Sequence, residues 1–116
     1  MDHLPRPFSA TLAALDGNAV VALVGDLDLN SAPQLTRVLS TYIENGPAEV
    51  VLDFSGLSFI DSEGISVLIT AQRSLNERGR RLIIRSARAS ALKLFEITGL
   101  TDILNVDSET AEQNPI

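Results

Sequence analysis

AEVVLDFSGLSFIDSEGISVLITAQRSLNERG, residues 48–79, contains the change of periodicity that decides the fold. Ala48 to Phe54 is a short apolar run bounded by Pro47 on one side and Ser55-Gly56 on the other, as expected of a strand buried on both faces. After SGLSFI the spacing becomes helical: Ile65, Leu68, Ile69 and Leu75 share one face, while Ser66, Thr70, Arg73 and Glu77 fall on the opposite one. This helix starts near Asp61-Ser62 and stops at Gly79.

The same alternation continues on both sides. Downstream, RLIIR (81–85) reads as a strand, ASALKLFEIT (89–98) as a helix closed by Gly99, and DILNV (102–106) as a last short strand. Upstream, Phe8 to Leu15 and Ala19 to Gly25 flank the turn residues Asp16-Gly17-Asn18 and predict an antiparallel hairpin. Ser31 and Gln34 resemble a capping box, with Pro33 tolerated in the first turn of a helix from Ala32 to Glu44. Asn45-Gly46-Pro47 ends that helix. Alternating strands and helices call for parallel pairing with right-handed crossovers, and the hairpin belongs at a sheet edge. The expected architecture is one α/β domain over residues 8–106, a mixed, mainly parallel sheet with helices packed against it. A flexible arm is expected at 1–7 and a flexible acidic tail at 107–116.

Composition narrows the function. The 116 residues are 45% hydrophobic and 21% charged, which fits one self-sufficient core. A net charge of −6 disfavours nucleic acid and anionic membrane surfaces as partners. Arg78, Arg80, Arg81, Arg85, Arg88 and Lys93 alternate with apolar residues and read as solvated edges and helix ends. There is no cysteine, which excludes disulfides and thiolate chemistry. Neither a signal peptide nor an apolar run long enough for a membrane span is present, so a cytoplasmic location is expected.

Enzymatic readings fail for want of parts. The only histidine, His3, lies in the expected arm, so a Ser-His-acid triad or a histidine-based metal site has no imidazole in place. No glycine-rich phosphate loop follows any strand, and no cofactor is expected. Asp26, Asp28 and Asp61 stand near C-terminal strand ends, where ligands of open α/β sheets bind. Two readings remain for them: solvated loop acids, or oxygen ligands of a divalent cation. Ser62 also has two. Either it or Asp61 is the N-cap of the helix, or its hydroxyl is a modification site, where a phosphate of about −1.5 to −2 charges is tolerated by a helix N-terminus. Gly64 weighs toward the second, since glycine in a helix favours close approach of a partner.

Three segments, GDLDLNSAPQL (25–35), VVLDFSGLSFIDSEGISVL (50–68) and ALKLFEITGLTDIL (91–104), resemble in order and spacing the bacterial anti-sigma factor antagonists, the single-domain members of the STAS family. The resemblance spans Phe8 to Val106 and implies a STAS-like fold. It further implies that Ser62 is phosphorylated by an anti-sigma factor that is also a serine kinase of the GHKL type, and that a PP2C-type phosphatase reverses this. The unphosphorylated form would bind the anti-sigma factor and free the sigma factor. On the same resemblance Asp28 lies beside Ser62, with Asp26, Asn30 and Ser31 on the docking surface. Asp61, Glu63, Gly64, Ile65, Ser66 and Val67 complete that surface. Replacing Asp28 by alanine is expected to impair phosphorylation or docking with little loss of melting temperature. Glu63 departs from the small residue usual after the modified serine. The alternative is a STAS adaptor that docks on a transporter ATPase or a signalling assembly without a phospho-switch.

Overall fold

The computed structural model describes residues 4, 6–15, 17–46, 48–100 and 104–106. Five strands, β1 (Ser9–Leu15), β2 (Asn18–Leu27), β3 (Glu49–Ile60), β4 (Arg81–Arg85) and β5 (Asn105–Val106), form one sheet in the order β1-β2-β3-β4-β5. β1 and β2 pair antiparallel as the expected edge hairpin, and the other neighbours are parallel. The helices are α1 (Ala32–Asn45), α2 (Ser62–Asn76) and α3 (Ala89–Ile97). The mixed, mainly parallel sheet is thus as the sequence predicts.

Sheet order that follows chain order, joined by right-handed crossovers, puts every crossover helix on the same face. The burial pattern agrees: Val21 and Leu23 of β2, Val50, Leu52 and Phe54 of β3, and Leu82 and Ile84 of β4 are all buried. Leu35 and Leu39 of α1 and Leu68 and Leu75 of α2 close the same core. Phe95 of α3 meets Phe54 with ring centroids 6.4 Å apart. On the reverse face of β3, Val51 is buried, Asp53 half-buried and Ser55 exposed. The expectation of a strand buried on both faces is corrected accordingly, since Asp53 and Ser55 need water or ionic partners. Asp53 has one in Arg85, 3.6 Å across the β3–β4 ladder.

β3 also runs six residues beyond the expected Phe54. Two register shifts against β2 carry it through SGLSFI to Ile60, which pairs with Leu27. Each shift gives β3 one extra residue relative to β2, the count of a bulge. Past Asp53, β3 has left β4 and pairs with β2 alone. β2 and β3 therefore finish together, and α1 and α2 start at that shared edge.

Within the expected arm 1–7, Arg6 bonds to the end of β2. The Arg6 carbonyl accepts from the Asp26 N–H at 3.1 Å, and the Arg6 N–H donates to Asp26 Oδ2 at 3.0 Å. Gly25 makes that approach possible: at φ +89°, a Cβ there would stand 1.9 Å from the Pro7 carbonyl oxygen. The expected tail 107–116 and residues 102–103 of the last strand lie outside the described residues. Among the arginines taken as surface, Arg80 donates to the last-turn carbonyls of α1 at Tyr42 and Ile43 and so caps that helix.

Candidate functional site

The shared end of β2 and β3 gathers the segment 26–31 and the segment 61–64. The Asp61 N–H donates to the Leu27 carbonyl at 3.1 Å, which extends the parallel ladder by one bond. Asp61 is then the N-cap of α2, with Oδ1 accepting from the N–H groups of Glu63 (2.9 Å) and Gly64 (3.1 Å). Its other oxygen, Oδ2, accepts from the Leu29 N–H at 3.2 Å and so ties the turn after β2 to the start of α2.

That turn is built by Asp28 and Ser31. Asp28 Oδ1 accepts from the N–H groups of Asn30 (3.0 Å) and Ser31 (3.1 Å), an Asx-type closure. Ser31 Oγ donates to the Asp26 carbonyl at 2.7 Å and accepts from the Asp28 N–H at 2.9 Å. This replaces the expected capping box, because Ser31 makes no side-chain cap bond to α1. Its hydroxyl is committed to the preceding turn, and the Asp28 carbonyl takes the Ala32 N–H at 2.8 Å instead.

Ser62 is the first residue of α2, and it is exposed. Of the two candidates for the cap, Asp61 fills the role, and no hydrogen bond of the Ser62 hydroxyl is present among the described residues. Glu63 and Ser66 beside it are exposed, Asn30 is exposed, and Asp28, Ser31, Asp61 and Val67 are half-buried. Three of the expected docking residues lie deeper. Asp26 is 4% exposed, Ile65 is in the core cluster, and Gly64 is buried.

Gly64 needs a different explanation from partner approach. A Cβ at this position would fall 2.7 Å from Leu27 Cγ and 2.9 Å from Ile60 Cγ1, so the missing side chain lets the first turn of α2 sit on the paired strand ends. Sequence reading also missed Leu29, which is 65% exposed in the turn, and Phe59, 42% exposed near the end of β3. Neither belongs to a periodic pattern, so only an apolar residue among polar neighbours signals Leu29.

The site carries negative charge. No cation is paired with Asp28, Asp61 or Glu63 among the described residues. The carboxylates of Asp28 and Asp61 accept from backbone N–H groups, and no group of three or more acidic or histidine side chains is placed to hold a metal among those residues. No helix among them is long and apolar enough to cross a membrane.

A mixed five-stranded sheet in sequential order, with three helices packed against it, is an α/β domain architecture of a known kind. The chain belongs to the STAS domain family, whose model matches residues 9–113. It is similar to the anti-sigma-B factor antagonist of Staphylococcus aureus, 30% identical over 90 residues that make up 78% of this chain and 83% of that one. Among solved structures it resembles an anti-sigma factor antagonist from Mycobacterium paratuberculosis, with a TM-score of 0.80, 21% identity and 94% of each chain covered. It also resembles the Bacillus cell fate determinant SpoIIAA in its phosphorylated form, with a TM-score of 0.66, 25% identity, and 89% and 93% covered.

Proposed function

We propose that the chain is an anti-sigma factor antagonist, a non-enzymatic protein of the cytoplasm whose binding is set by phosphorylation of Ser62. Unmodified, it docks on an anti-sigma factor that is also a GHKL-type serine kinase and thereby releases a sigma factor. The kinase phosphorylates Ser62 and ends the contact, and a PP2C-type phosphatase restores it. The observation that carries this reading is that Asp61, not Ser62, caps α2. The serine hydroxyl is thereby left exposed at a helix N-terminus with no structural duty.

The local chemistry supports a switch that acts by blocking the contact. A phosphate at the first residue of α2 is tolerated by the helix N-terminus. On the exposed hydroxyl it would fill, with a bulky charged group, the space that a partner fitted to the unmodified serine occupies. Relatives that are anti-sigma factor antagonists, and the phosphorylated form of SpoIIAA among the structural neighbours, support the same reading. The test is transfer of phosphate. A GHKL-type kinase captured from source cells on the Ser62→Ala variant, supplied with ATP, should modify wild-type protein at Ser62 alone, as mapped by mass spectrometry. Modification elsewhere, or none, would contradict the assignment.

A further inference from the structure

α1 and α2 start at the same edge of the sheet and pack side by side, and a groove of about 730 Å³ runs between them. It opens beside Ser62, at Leu29 and Glu63, and continues along α2 through Val67, Thr70 and Ser74 to Arg78. At 1.5 Å per residue that is roughly 20 Å, the length of about four helical turns. Ala32, Leu39, Val67 and Ala71 give it an apolar lining, and Thr70 on its wall is exposed. None of these groove positions beyond Val67 belongs to the docking surface expected from the sequence.

We infer that this groove is the second half of the docking surface and that it takes an amphipathic helix of the anti-sigma factor, with the basic end of that helix at Glu63. The inference rests on the proposed function, because the partner is the one named there. Three observations select that occupant. Its length along α2 suits a helix laid along two others, a recurrent mode of recognition. The groove is continuous with the Ser62 site, since Glu63 belongs to both. At that mouth the carboxylates of Asp28, Asp61 and Glu63 have no cationic partner among the described residues, so a basic residue on the incoming helix is matched and an acidic one repelled. The chain's own last ten residues fit poorly, as Asp107, Glu109 and Glu112 give them three acids and no base. Glu63 is then the residue that selects the partner, and its departure from the small residue of the resemblance has a use.

The test uses the full chain with Ser62→Ala as the background and the purified kinase that this variant captures. Thr70→Trp, two turns from Ser62 and exposed, fills the groove without touching the serine site, and a melting curve checks that the fold is kept. At least about a tenfold loss of affinity is expected, the scale of a blocked binding hot spot. Glu63→Lys should also weaken binding, and the loss should shrink at high salt. Unchanged affinity in both variants would overturn the groove assignment while leaving the proposed function in place. Failure of Ser62→Ala to capture any such kinase would instead overturn the proposed function. A loss with Glu63→Lys alone would confine docking to the mouth and overturn the helix.

Discussion

At the scale of the residue, the choice of N-cap that the sequence leaves open between Asp61 and Ser62 falls to Asp61. Asp61 uses both carboxylate oxygens, one on the first turn of α2 and one on the Leu29 N–H, so Asp61→Ala should cost about 1–2 kcal/mol in chemical denaturation. Ser62→Ala should fall within about 0.5 kcal/mol of wild type, as an exposed substitution with no lost bond does. Equal costs for the two would contradict the division of labour. Asp28 is likewise part of the structure: its carboxylate closes the turn on two N–H groups, so Asp28→Ala should cost about 1 kcal/mol, contrary to the little change expected from sequence. That acid was legible as a site residue but not as a turn former, because its partners are backbone donors supplied by the turn itself. Gly64 was legible as unusual and opaque as to cause. Of the two side chains that exclude its Cβ, Leu27 is distant in sequence, and its pairing with Ile60 brings it under α2. Gly64→Ala should therefore destabilise by about 1–3 kcal/mol by overpacking, although alanine favours helix.

At the scale of the element, helices were read more accurately than the long strand. The helices follow from periodicity and caps that lie within each segment, and RLIIR is bounded by its own neighbours. β3 was cut short at Phe54 because Ser55 and Gly56 read as a turn. Two bulges against β2 keep those residues in the sheet, and bulges depend on the partner strand. The reverse face of β3 offers a pH test. Burial pushes the Asp53 carboxyl up, but the Ser55 N–H at 2.9 Å and the Arg85 guanidinium outweigh it and hold its pKa below the usual 3.8. A carboxyl whose folded pKa is depressed stabilises the fold above the unfolded pKa, and that contribution is lost as the pH falls through the folded one. Wild type should therefore melt above Asp53→Asn at neutral pH, and the gap should close below about pH 4. A gap that persists in acid would mean that packing, not charge, distinguishes the two.

At the scale of the whole molecule, sequential strand order places the helices on one face and brings the starts of α1 and α2 to one edge. A serine just past the end of β3 and a turn after β2 thereby form a single surface. Charge and motif order made that surface legible from sequence. Its depth was not legible, because burial of Asp26, Gly64 and Ile65 depends on how the two segments stack. The most direct measurement is a matched capture from source-cell lysate on Ser62→Ala and Ser62→Glu baits, with partners identified by mass spectrometry. Enrichment of a GHKL-type kinase on the alanine bait, with little on the glutamate bait, is the expected result. The same partner held equally by both, or a transporter ATPase in its place, would contradict a switch at Ser62.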